Sequence, residues 1–145
     1  MFWIDFASRF VHVLTAIALV GGSIFTLLVL MPAAKALSEE AHNLLAAGIA
    51  ARWKRFVHGG ILLFLVSGFY NYFRAMPLHR GDGFYHMIVG IKIMLALGVF
   101  FIASALVGRS PALASFRHNR QRWLAIMVLL ATAIVLISSF AKIRG

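Results

Sequence analysis

Few residues in this chain can do chemistry: six histidines, six methionines and one lysine set deep in an apolar run. Cysteine is absent, which excludes a disulfide framework, a thiolate metal site and an iron–sulfur cluster. His42, His79 and His118 fall in polar connecting stretches, where a histidine is ordinary. His12, His58 and His86 fall in or beside long apolar runs. Lys92 is the only charged residue between Gly83 and Gly108. An imidazole there could ligate haem iron or a metal, and an ammonium could neutralise an anionic ligand. Met87 and Met94 share one helical face, and Met31 and Met127 lie at the ends of two other runs. Imidazole with thioethers suits Cu(I), although methionine is also common packing material.

The runs that carry these residues set the fold. Of 145 residues, 62% are hydrophobic and 12% charged, against roughly 25% charged in a soluble domain. Mean hydropathy is +0.92. The net charge of +10 comes from 14 Lys/Arg against 4 Asp/Glu. These cations are scattered between apolar runs instead of clustering on a solvated face, which argues against a nucleic-acid partner. The expected partner is the lipid bilayer. A membrane-crossing helix needs ~20 mostly apolar residues, and four runs qualify, at about 10–34, 56–73, 84–108 and 123–141. In lipid the backbone must satisfy its own hydrogen bonds, so each run is a helix. The expectation is an all-α membrane protein, a single domain built as a four-transmembrane-helix bundle. The first run is too long for a signal core, and Asp5 precedes the only early basic residue, Arg9, so it reads as a permanent span.

Four crossings put both termini at one end, called A; the other end is B. In the stretch 35–55, Ser38 is placed to cap a helix with Glu39 and Glu40 in its first turn. Leu44, Leu45 and Ile49 give that helix an apolar stripe, which predicts that it lies along the membrane surface. Gly81-Asp82-Gly83 reads as a turn, and Ser110-Pro111 as a helix start. End B holds Lys35, Arg52, Lys54, Arg55, Arg109, Arg117, Arg120 and Arg122; end A holds Arg9, Arg74, Arg80, Lys142 and Arg144. The excess predicts a cytoplasmic end B and external termini.

Depth separates the intramembrane candidates. His12 lies three residues past Arg9, on a face with Ser8, Thr15, Gly22, Ser23 and Thr26, small and polar as a bundle-facing surface should be. His86 lies four residues past Asp82. Both are about one turn below end A, which predicts matched depth on spans one and three. Two such histidines can hold a b-type haem by its axial positions, with Gly22 and Gly90 leaving room beside the porphyrin. Each also has a plainer reading, as a hydrogen-bonded or interfacial histidine. His58 starts span two near end B and reads as interfacial; the face Gly60, Ser67, Asn71 is the expected packing seam of that span. Lys92 is ten residues past Asp82, about 15 Å along the helix, too deep for its side chain to reach water easily. No Asp or Glu lies in any span, so its partner must be a carbonyl, a hydroxyl or an anionic ligand.

The order of these features resembles a known family. Span one reads Val11-His12-Val13-Leu14-Thr15-Ala16, then Leu19-Val20-Gly21-Gly22 and Pro32-Ala33. Span two opens Arg52-Trp53-Lys54-Arg55-Phe56 and carries Ser67-Gly68-Phe69-Tyr70-Asn71. Span three holds Gly90-Ile91-Lys92-Ile93-Met94-Leu95-Ala96-Leu97. This is similar to the four-helix domain of the copper-resistance D (CopD) family over most of the chain, with Leu19 where that family has Trp. The plan also resembles the HemJ protoporphyrinogen oxidase family, whose helix-one histidine and helix-three lysine would fall on His12 and Lys92. That family's second histidine, two residues before the lysine, is Gly90 here.

The resemblance implies a multi-pass protein of a bacterial inner membrane. On the reading of matched depth, the protein would bind haem b at His12 and His86, with Lys92 pairing a propionate, and would exchange electrons with quinone or a partner protein, or do porphyrin-linked redox chemistry. Copper handling by His12 and methionines is the alternative, and a cofactor-free small subunit of a membrane complex is the second. Assembly as a homo-oligomer stays open.

Overall fold

The structure, a computed structural model, describes residues 1–144. Among them there is no strand, and four helices are long and apolar enough to cross a membrane. The protein is an all-α membrane bundle. Span one runs Phe2–Ala34 as helix α1 (Phe2–Phe25), a π-helical stretch Thr26–Leu30 and helix α2 (Met31–Ala34). Span two is the membrane part of α3 (Glu39–Ala75), span three is α4 (Gly83–Val107) and span four is α6 (Arg120–Arg144). A short helix α5 (Ala114–His118) sits in the end-B connection.

The π-helical stretch has a local cause. Pro32 has no N–H for the Leu28 carbonyl, and its ring would crowd that carbonyl in a regular helix. The backbone widens just before it, where the Met31 N–H reaches Thr26 O, five residues back.

The stretch 35–55 departs from expectation. Ser38 does cap a helix, accepting from the Ala41 N–H at 3.3 Å. But that helix does not stop and lie on the surface. It runs unbroken for 37 residues into span two. At 1.5 Å per residue it is about 55 Å long, against ~30 Å of hydrocarbon. Its first turns therefore project beyond end B. Five alanines between Ala41 and Ala51 favour helix, and no proline interrupts it.

Spans one and two pair along their length, as do spans three and four, with sparser contact between the pairs. The first seam repeats every seven residues on both helices: Asp5 with Arg74, His12 with Ser67, Leu19 with Gly60. That is the period of antiparallel coiled-coil packing. Glycines supply its holes. A Cβ on Gly60 would come within 3.0 Å of the Leu19 methyls, and one on Gly22 would collide with the Trp53 ring. The second pair holds most of the buried apolar side chains, Ile102, Leu106, Leu124 and Met127, all toward end B. Lipid is as apolar as these side chains, so close contact rather than escape from water holds the pair.

Two devices fasten end A. Arg74 makes a bidentate pair with Asp5, both contacts at 2.9 Å, and Tyr70 donates to the same carboxylate at 2.8 Å. Arg144 lies over the Phe84 ring, 3.9 Å from its centre. The expected turn is present: Gly81 has φ +84° and Asp82 caps span three by accepting from the Tyr85 N–H.

Candidate functional site

The histidine, serine and tyrosine side chains that bond one another between helices lie toward end A, and span two positions them. Ser67 is buried at its seam. Its hydroxyl donates to the Leu63 carbonyl at 2.6 Å, one helical turn back. Having one proton, Ser67 can then only accept from His12, whose Nδ1 lies 3.0 Å away. A neutral His12 is thereby held as the Nδ1–H tautomer, with Nε2 as its acceptor. Gly68 makes this approach possible, because a Cβ there would stand 3.1 Å from His12 Cε1. Phe64 stacks on the imidazole, with ring centres 4.0 Å apart, and Phe100 of span three meets Phe64 edge-on.

Lys92 lies within span three. It is half-buried and makes no hydrogen bond or ion pair among the described residues. Of the expected site residues, His12 has a hydrogen-bond partner across the first seam and Lys92 has none among the described residues.

His86 lies apart from His12. Its Nδ1 faces the Tyr72 hydroxyl at 3.4 Å, and the Tyr72 and Tyr85 rings meet it edge-on. Tyr72 is five residues nearer end A than Ser67, about 7.5 Å along the helix. His12 and His86 are therefore at different depths, because span one begins at Phe2 and carries His12 deeper than a start near Phe10 would. A porphyrin clamped between these two rings does not fit this arrangement. The glycines expected to make room do not supply it either: Gly22 is filled by Trp53, and Gly90 is exposed with nothing near it. The second-ring hydrogen bond to Ser67 is the support a ligating histidine ordinarily has.

The other candidates are spread out. Met87 and Met94 point away from the bundle, 52% and 71% exposed, and Met127 is in the span three–four core with Met31 packed against it. His58 is exposed near end B. His79 stacks flat on Tyr85 at 3.7 Å. Among the described residues, no three of His, Asp and Glu converge as a metal site. Ser67, Gly68 and Tyr72 were not anticipated as site residues. Ser67 stood only as part of a packing seam; its sequence signal was a hydroxyl one turn beyond a carbonyl and opposite a histidine in the seven-residue register.

Toward end B the interior is different. All four spans line an apolar chamber of about 110 Å³, separated from His12 by the Phe64 ring. No protein-family model, curated protein or solved structure matches the chain.

Proposed function

We propose that this chain is a membrane redox protein of the CopD/HemJ-like kind that holds haem b or a related porphyrin at His12 and Lys92. One observation carries the reading: an imidazole held by Ser67 in a membrane interior where Lys92 makes no hydrogen bond or ion pair among the described residues. Haem supplies one-electron chemistry when bound. The chain's own residues do the rest. Ser67 orients the His12 ring and sets its tautomer. Lys92 offers its ammonium to a propionate or other anion, which would offset the cost of burying that charge. Phe64 offers an aromatic face beside the ring. Quinone or a partner protein would exchange the electron.

The same proposal places the protein in a bacterial inner membrane with end B cytoplasmic, on the eight-to-five excess of basic residues. The test is the absorption spectrum of detergent-purified protein after expression with ample haem. A b-type spectrum, lost in His12→Ala, is the expected result. Colourless protein that also gives no spectral change on haem addition overturns the proposal.

A further inference from the structure

Spans one and four meet only sparsely, and near end B an open groove of about 480 Å³ lies where they adjoin. Its lining changes with depth. Asn119, Arg120, Gln121 and Arg122 form a polar rim, and Leu27 of span one and Ala125 of span four are its apolar wall. Ala125 is five residues past Arg120, about 7.5 Å further into the bilayer.

The groove lies at the membrane surface. In the register of spans one and two, Leu27 is eight residues beyond Leu19 and Arg52 is eight residues before Gly60, so Leu27 stands level with Arg52. Trp53 and Trp123 directly follow Arg52 and Arg122, and tryptophan collects where headgroups meet acyl chains.

The rim carries charge that the chain does not answer. Nearby Arg117 is spent on the Ala105 and Ser110 carbonyls, at 3.4 and 2.7 Å. Arg120 and Arg122 make no hydrogen bond or ion pair among the described residues, where the one ion pair joins Arg74 to Asp5 at end A. Asp82 is also at end A, and Glu40 is twelve residues before Arg52 on the projecting helix, about 18 Å away. The Asn119 amide donates to the Ser115 carbonyl at 3.3 Å, which leaves its own oxygen to accept.

We propose that this groove binds one anionic phospholipid of the surrounding bilayer, its phosphate on Arg120 and Arg122. Each guanidinium presents a fork that matches two phosphate oxygens, and basic pockets between spans are where such headgroups dock. Leu27 and Ala125 lie beside the ester region and upper acyl chain, and the rest of both chains stays in the bilayer, so the groove has only the head to hold. A soluble anion would leave that apolar wall uncovered. The assignment is independent of what His12 binds.

Native mass spectrometry of detergent-purified protein tests this. With phosphatidylglycerol and phosphatidylcholine of identical chains in equal amounts, the first lipid retained should be phosphatidylglycerol by about tenfold, the gain from a charge-assisted hydrogen bond. Arg120→Gln with Arg122→Gln should bring that ratio to one. Lys35→Gln with Arg109→Gln, which removes two charges from end B outside the groove, should leave it unchanged. Arg120→Lys should keep part of it, since the charge remains and the fork is lost. An equal choice of the two lipids by the parent, a preference that survives Arg120→Gln with Arg122→Gln, or the same loss in Lys35→Gln with Arg109→Gln would each overturn the proposal. Displacement of the bound phosphatidylglycerol by a soluble polyglutamate peptide would assign the groove to an acidic protein segment and overturn it too.

Discussion

Ser67 has a single proton to give, and the Leu63 carbonyl at 2.6 Å takes it. For a neutral His12 the tautomer follows from that: the ring donates from Nδ1 and keeps Nε2 bare. Nitrogen NMR of labelled protein should show the Nδ1–H tautomer for His12, and Ser67→Ala should release it to a mixture while removing about 1 kcal/mol of stability. A parent ring protonated at Nε2 would contradict the assignment. Lys92 is testable at the same scale. Without ligand, Lys92→Met should raise thermal stability, since it removes an unpaired buried charge at similar volume; with haem it should weaken retention. At end A, Asp5→Asn breaks the bidentate pair with Arg74 and should lower the melting temperature at neutral pH.

At the scale of elements, the glycines of the first seam are seats for large side chains. Gly22→Leu should evict Trp53 and cost about 1–3 kcal/mol, read as a lower melting temperature with shifted tryptophan emission. The long helix Glu39–Ala75 makes a geometric prediction. The chain has no cysteine, so spin labels at Glu40→Cys and Ala75→Cys are unique, and a continuous helix puts their backbones about 52 Å apart. A clearly shorter distance would show that the helix turns along the membrane after all. The four spans were legible because charge-free runs mark them directly, and the turn at Gly81 because only glycine takes its φ easily. The fusion of 35–55 with span two was not legible, because basic residues at 52–55 mark the membrane boundary without breaking a helix. The π-helical stretch and the depth of His12 depend on where span one starts, and aromatic Phe2, Trp3 and Phe6 extend that helix past the last charge. The pairing of His12 with Ser67 could be read only once the seven-residue register between spans one and two was known.

Along the bundle axis, the site residues and the chamber lie toward opposite ends. His12, Ser67, Lys92, Tyr72 and His86 lie toward end A, and the chamber toward end B is closed from them by Phe64. The orientation is open to test in intact cells: a membrane-impermeant maleimide should label a cysteine placed at Arg80 and not one placed at Glu40, and the reverse would invert the assignment of ends. The most direct measurement of the central claim is a haem titration of purified parent, His12→Ala, His86→Ala and Lys92→Met proteins, followed by absorption. The account predicts that the parent and His86→Ala bind haem with similar affinity, that His12→Ala loses the iron-ligand spectrum, and that Lys92→Met binds more weakly. Equal binding by His12→Ala and the parent, or loss of binding in His86→Ala alone, would contradict it.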